Sequence, residues 1–290
     1  MIEKAYAKIN IVLDVIDKRT DGYHDIKSIM LPLELHDSII IDTIDNLNGD
    51  DFIVCDNFKV GISKYNLCHK AIQIARETWG FKERFDVSIH KNIFLQSGLG
   101  GGSADAAAVL RAIIKLLKLD ITKQELIDAA TRIGADVPFM IFNKPAYVSG
   151  IGNKIKFLDD INDSIYDYHV LICKPLEGIS TTRIYNEYDQ MKKPKHFDVD
   201  KVFEDLKKDD NSFIKDIGNS LEEPGYYIVP KIEEIKKDLT SRGFDAVFMT
   251  GGGSSIIALT KNKKLAKKTF KELYMKPEEY EVELTKFHKD

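Results

Sequence analysis

The stretch Gly98-Leu99-Gly100-Gly101-Gly102-Ser103-Ala104-Asp105-Ala106-Ala107 decides how this 290-residue chain is read. Ahead of it Phe85, Val87 and Ile89 alternate with the period of a strand, and behind it Ala104–Leu119 carries a polar stripe of Arg111, Lys115 and Lys118 on an otherwise apolar helix. One or two glycines suffice for a turn, and four in five positions cost conformational entropy without further gain to the turn itself. A bare backbone does, however, allow successive N–H groups to face inward, and a helix start adds partial positive charge. The pattern therefore points to a cradle for a di- or triphosphate. It is not the Walker pattern, because no Lys follows a loop glycine, nor the dinucleotide pattern, because Ser103 stands where its third glycine belongs. Protein-kinase, G-x-S-x-G and H-E-x-x-H signatures are absent.

Upstream, Ala5, Ala7, Ile9, Ile11, Leu13 and Val15 are apolar at alternate positions, so Lys8 and Asn10 share the opposite strand face. A turn-rich segment, Lys18–Gly22, leads to expected strands around Ile26–Leu35 and Asp37–Ile41. Asn66–Thr78 has helical spacing, and Thr122-Lys123-Gln124-Glu125 is a capping box for a helix that Gly134 should stop. An acidic stretch from Lys154 to Tyr168 places the expected domain boundary between 158 and 159. Beyond it come a strand at Tyr168–Cys173, a helix at Pro230–Ser241, strands at Ala246–Thr250 and Ile256–Leu259, a helix at Lys264–Met275 and an alternating Tyr280, Val282, Leu284. That order, β-α-β-β-α-β, suits a ferredoxin-like α+β sandwich.

Composition narrows the class. Apolar residues at 43% and charged residues at 30% are ordinary for a globular chain. A formal charge of −4 offers no broad basic field for nucleic acid. Nothing approaches the roughly 18 unbroken apolar residues of a membrane helix, and the N-terminal residues show no secretory pattern. Cys55, Cys68 and Cys173 are too few and scattered for a disulfide framework or a zinc cluster. The expectation is a cytoplasmic protein without membrane or nucleic-acid partners.

Four blocks together resemble the GHMP kinases: Ala7-Lys8-Ile9-Asn10, Asp21-Gly22-Tyr23-His24, the glycine stretch, and Gly134-Ala135-Asp136-Val137-Pro138-Phe139. The resemblance, which runs from about Ala5 to Leu259, implies two α+β domains with the active site in the cleft between them. The first (1–158) is similar to ribosomal protein S5 domain 2, and the second (159–290) is ferredoxin-like. It implies ATP and Mg²⁺ as cofactors and phosphorylation of the 2-hydroxyl on the erythritol portion of a cytidine diphosphate conjugate, a step toward isoprenoid precursors. Asp136 would take the hydroxyl proton, with Lys8 beside it to stabilise charge. Phe94, Leu95, Gln96, Ser97, Gly98, Leu99, Gly100, Gly101, Gly102, Ser103 and Ala104 would line the ATP site, with Asn66 and Lys91 by the adenine. Asn10, Tyr23, His24 and Tyr185 would hold the small-molecule substrate. The protein is expected as a monomer or weak homodimer, with no protein-built metal site.

Read from the residues alone, alternatives stay open. Asp136 and Ser103 could each be a helix N-cap. Lys8 could be an edge-strand lysine, and Tyr23-His24 an ordinary surface turn. The second glycine loop, Gly251–Ser255, resembles the family's third motif but could be a β-turn. A GHMP-type kinase for homoserine or mevalonate, or a non-catalytic sensor on the same fold, are the competing functions. Departures from the family pattern are Phe94 for a usual proline, Gln96 for a usual glycine, Asn153 for Glu, Gly252 for Ser and Ile257 for Phe.

Overall fold

In the computed structural model, which describes residues 1–44, 49–57, 60 and 66–289, the N-terminal apolar row becomes strand β1 (Ile2–Lys18). There follow β2 (His24–Ile44), β3 (Phe52–Cys55), α1 (Leu67–Trp79), β4 (Arg84–His90), α2 (Gly101–Leu117), α3 (Lys123–Ile133), α4 (Val137–Phe142), β5 (Ala146–Gly150) and β6 (Lys154–Phe157). Then come β7 (His169–Pro175), α5 (Thr181–Tyr188), α6 (Val199–Asp205), β8 (Gly218–Asn219), α7 (Glu222–Ile228), α8 (Lys231–Ser241), β9 (Ala246–Met249), β10 (Ile256–Thr260), α9 (Lys263–Tyr274) and β11 (Tyr280–Lys286). The two strands expected at 26–35 and 37–41 are one strand. Asp37, expected as the first residue of the second strand, is fully buried, and its carboxylate accepts backbone N–H groups of Asn92 and Ile93. The helix expected from Ala104 begins at Gly101, because Gly101 and Gly102 already have helical geometry after a left-handed Gly100.

Two compact units interleave along the chain. The first comprises Met1–Ala7, Leu35–Ile93 and Gly100–Asn143, and the second Lys8–Glu34, Phe94–Leu99 and Lys144–Asp290. In the first, β3 lies parallel to β4, and β4 runs antiparallel to the later half of β2 from Ser38↔His90 to Ile44↔Arg84. Four helices accompany these strands: α1 packs on α2, α2 on α4, and α3 on both α1 and α4. Alanines at 104, 106, 107, 108 and 112 are buried on α2, which lets its neighbours come close. Asn66 caps α1 by accepting from the Cys68 N–H, and the Thr122–Glu125 capping box starts α3 as read. Ile72 and Ile74 bury α1's apolar face, each side chain contributing roughly 1.5–3 kcal/mol.

In the second unit, the early half of β2 pairs antiparallel with β5, from Ile26↔Gly150 to Met30↔Ala146, and β1 pairs parallel with β8 through Val12↔Gly218 and Leu13↔Asn219. A separate antiparallel sheet has the order β11-β7-β10-β9. In chain order that is 4-1-3-2, the ferredoxin-like arrangement, with α8 and α9 against it. Leu171, Cys173, Ile232, Leu239, Met249, Ile256, Ala258 and Leu273 form its core. Among the described residues no helix is long and apolar enough to cross a membrane.

Candidate functional site

In the first unit the phosphate candidates gather at the start of α2. Gly100 is the N-cap, in left-handed geometry at φ 73°, and no side chain caps the helix. The first-turn N–H groups of a 17-residue helix thus lack the usual side-chain acceptor, which leaves them suited to an anion. Ser103, read as either a phosphate ligand or a cap, lies inside the helix and so is not the cap. Asn66 spends its side-chain oxygen on capping α1. Asp136 precedes α4 with αR geometry and makes no side-chain capping bond, so the cap alternative falls away.

Lys91 is not a free-reaching side chain. Its ammonium, 3% exposed, donates to Asp105 Oδ2 at 2.7 Å and to Asp37 Oδ2. Asp37 Oδ1 accepts from the N–H groups of Asn92 (2.6 Å) and Ile93 (2.8 Å). Burial pulls the Lys91 pKa down, but the two carboxylates outweigh it and hold the ammonium above its ordinary range. Burial and the neighbouring Asp37 push Asp105 up to about 7 against the pull of Lys91.

In the second unit Lys8 and Asn10 lie side by side, 4% and 1% exposed, with Lys8 Nζ donating to Asn10 Oδ1 at 2.7 Å. Asn10 Nδ2 donates to Ser28 Oγ at 2.7 Å, and Ser28 Oγ donates to the Val12 carbonyl at 2.7 Å. Because the serine hydrogen is spent on Val12, Ser28 must accept from Asn10, and this fixes which end of the amide faces Lys8. The Asn10 backbone N–H meets Thr250 Oγ1 at 2.8 Å. The Asn10 side chain thus links Lys8 to Ser28. The Gly251–Ser255 loop belongs to the same unit: Asn219 Nδ2 donates to the Met249 and Gly251 carbonyls, and Ser255 N–H to the Ser97 carbonyl. In the segment before the glycine turn, Ser97 Oγ donates to the Phe94 carbonyl at 2.6 Å and Leu95 is half-buried.

The expected cytosine contacts also lie in the second unit. His24 and Tyr185 stack, with ring centroids 4.7 Å apart and planes at 22°. His24 Nε2 lies 2.7 Å from Asp189 Oδ1, and Lys18 Nζ donates to the other oxygen of Asp189. A carboxylate only accepts, so Nε2 carries the hydrogen of this contact. Tyr23, adjacent, is 61% exposed.

Asp37, Asp105, Ser28, Thr250 and Asp189 were not singled out in the sequence. A carboxylate on an otherwise apolar helix was a usable signal for Asp105. Asp189 gave none, since its partners are 165 and 171 positions away. As to a metal, no group of three or more His, Cys, Asp or Glu side chains that could hold an ion exists among the described residues.

Comparison with known proteins matches residues 66–144 to the GHMP kinases N terminal domain and residues 202–275 to the GHMP kinases C terminal domain. Over 284 residues the chain is 35% identical to the 4-diphosphocytidyl-2-C-methyl-D-erythritol kinase of Clostridium acetobutylicum, covering 98% of each. It is 36% identical over 257 residues to the protein of that name from Clostridium beijerinckii, covering 88% of this chain and 89% of that one. Among crystal structures, that of a 4-(cytidine 5'-diphospho)-2C-methyl-D-erythritol kinase matches with a TM-score of 0.80 over 100% of both chains at 24% identity, which establishes a shared fold.

Proposed function

The chain belongs to the GHMP kinase family, and from that premise we propose that it transfers the terminal phosphoryl group of ATP to the 2-hydroxyl of 4-diphosphocytidyl-2-C-methyl-D-erythritol. The observation that carries this reading is the likeness, over 98% of both chains, to a relative with that activity in its name. The Asp21–His24 block supports it over a homoserine or mevalonate kinase, since a base-binding imidazole and phenol have no use for a small alcohol.

The proposed roles follow from phosphoryl-transfer chemistry, in which positioning and charge neutralisation supply most of the catalysis. The substrate hydroxyl oxygen attacks the terminal phosphorus as the bond to the bridging oxygen breaks, and ADP leaves. Asp136, whose carboxylate is not spent on capping, accepts the hydroxyl proton. Lys8, oriented by Asn10, opposes the charge that develops on the transferred group. N–H groups at the start of α2 hold phosphate oxygens. Mg²⁺, when bound with ATP, would supply neutralisation of phosphate charge. His24, held by Asp189 through Nε2, offers its other ring nitrogen to an edge of cytosine, and Tyr23 and Tyr185 offer rings for stacking. The product would pass toward isoprenoid precursors.

A coupled assay for ADP with the cytidine diphosphate conjugate, homoserine and mevalonate as acceptors tests the reading. Turnover with the conjugate alone is expected. Turnover with another alcohol and none with the conjugate would overturn it.

A further inference from the structure

Three charged side chains in the first unit, from β2, the segment after β4 and α2, meet in a space that water does not reach. Side-chain exposure is 3% for Lys91, 0% for Asp37 and 6% for Asp105. A carbon added at Gly101, the first residue of α2, would stand 3.3 Å from Lys91 Nζ and 3.1 Å from Ile93 Cγ2. The ammonium therefore sits directly beneath the turn that the preceding section assigns to the ATP phosphates. Asp37 ties the same segment down from the other side through the N–H groups of Asn92 and Ile93. Asp105 Oδ2 takes the ammonium, while Asp105 Oδ1 is buried with no hydrogen-bond partner among the described residues.

A cation beneath a helix N-terminus is unfavourable on its own, because it faces the positive end of the helix dipole. Two carboxylates remove that cost, but they overshoot. With both ionised the cluster carries a net charge of −1, and with Asp105 protonated it is neutral. A net negative charge under an anion cradle weakens it.

Resting on the ATP reading given above, we propose that Lys91 is a positioning residue whose ammonium, clamped between Asp37 and Asp105, holds the first turn of α2 in its phosphate-binding geometry. We further infer that the charge on Asp105 sets the strength with which that turn takes nucleotide. The groups facing Asp105 are Lys91, Asp37 on β2, Cys68 on α1 and Cys55 on β3, and on the backbone side of Lys91 lie Asp56, which accepts its N–H, and the exposed His90 paired with Asp56. Burial raises both thiols, so they stay neutral near pH 7. Asp105, pushed up to about 7 by burial and by Asp37, changes charge there. Bound phosphate favours its protonated form, so nucleotide binding takes up a proton and affinity falls as pH rises through 7.

The test is the ADP dissociation constant, measured by calorimetry from pH 6 to 8.5 for the wild type, Asp105→Asn and Lys91→Met. Asparagine keeps the acceptor for Lys91 and is neutral at every pH. ADP's own ionisation is common to all three proteins and cancels in the comparison. The wild type should lose roughly tenfold more affinity across the range than Asp105→Asn, the scale of one unit charge at close range in a partly screened setting. Proton uptake, read as the dependence of binding heat on buffer ionisation heat, should be smaller in the variant. Lys91→Met should raise the dissociation constant at least tenfold, with the KM for the acceptor substrate within about threefold of wild type. Parallel pH curves for wild type and Asp105→Asn overturn the role of Asp105, and unchanged ADP affinity in Lys91→Met overturns the clamp. No ADP binding by the wild type would instead overturn the ATP reading, leaving the two failures distinct.

Discussion

A Cβ on residue 98 would stand 2.2 Å from the carbonyl oxygen of Thr250. Gly98 also has φ 77°, in the left-handed region that side chains resist. Its loop and the Gly251–Ser255 loop lie backbone against backbone, with Ser255 N–H donating to the Ser97 carbonyl and Ser254 N–H to that of Gln96. Replacing Gly98 by Ala must push them apart as well as strain the backbone, at a cost of order 1–3 kcal/mol for the conformation alone. A lowered Tm together with at least tenfold weaker ADP binding is expected. Thermal melting and an ADP titration of Gly98→Ala check both; two unchanged values would mean that these loops separate freely.

Asp136 offers a cleaner separation of chemistry from folding. Since its side chain does not cap α4, Asp136→Asn forfeits no helix cap. The kcat should fall about 10²-fold or more, the usual scale for a positioned base, while Tm stays within a few degrees. Steady-state kinetics alongside melting curves decide it. Near-wild-type turnover with the chemical step rate-limiting would remove Asp136 from the role of base.

What was legible in the residues, and what was not, divides along physical lines. Local signals held: Asn66 and Thr122 cap the helices they precede, and the alternation around Lys8 and Asn10 puts those two together on one face. Backbone dihedrals are invisible in a sequence, so whether Asp136 capped its helix could not be chosen until its αR geometry was known. Partners far along the chain were equally hidden. Asn10 is bound to Thr250 across 240 positions, and Lys91 to Asp37 across 54. The continuity of β2 was missed at His36, the polar residue left between the two expected strands, beside an Asp37 whose satisfying N–H groups lie 55 and 56 positions further on.

Gln96 is a non-glycine residue at φ 49°, in the left-handed region. A left-handed backbone costs an L-residue about 1–2 kcal/mol, while glycine costs up to about 1 kcal/mol more unfolded-state entropy. Relief exceeds entropy loss, so Gln96→Gly should raise Tm slightly, by a few degrees at most. A lowered Tm would show that side-chain contacts of Gln96, which reach the space beside Gly178, outweigh its strain.

Acid stability should report on Asp189. Partial burial alone would raise its pKa, but hydrogen bonds from Lys18 and His24 overcome that and hold it below its ordinary 3.8. A lowered folded-state pKa means that the stabilisation is complete above the ordinary value and is lost as pH falls through the folded one. Asp189→Asn should therefore melt below wild type at pH 7, with the gap closing as pH falls under 3.8. A gap that is constant from pH 7 to 3 would show that the carboxylate charge contributes nothing.

The last expectation concerns Tyr23 and His24, which differ in what their loss should do. Tyr23 is 61% exposed and stacks on nothing within its own turn, so its ring is available to a ligand at little cost to the fold. Stacking of a base on an aromatic ring contributes about 1–3 kcal/mol, so Tyr23→Ala should raise the KM of the cytidine diphosphate conjugate roughly ten- to hundredfold. The KM for ATP should stay within about threefold, and Tm should hold. His24 is buried against Tyr185 and bonded to Asp189, so His24→Ala should weaken the same substrate and also lower Tm through the lost stack and the stranded carboxylate. Both KM values and the melting point, measured for both variants, separate the outcomes. A rise in the ATP value with the conjugate value unmoved would mean that base and nucleotide sites are exchanged. If Tyr23→Ala moves neither KM, the exposed ring is an ordinary surface residue, and the cytidine reading of this turn loses the support it now has.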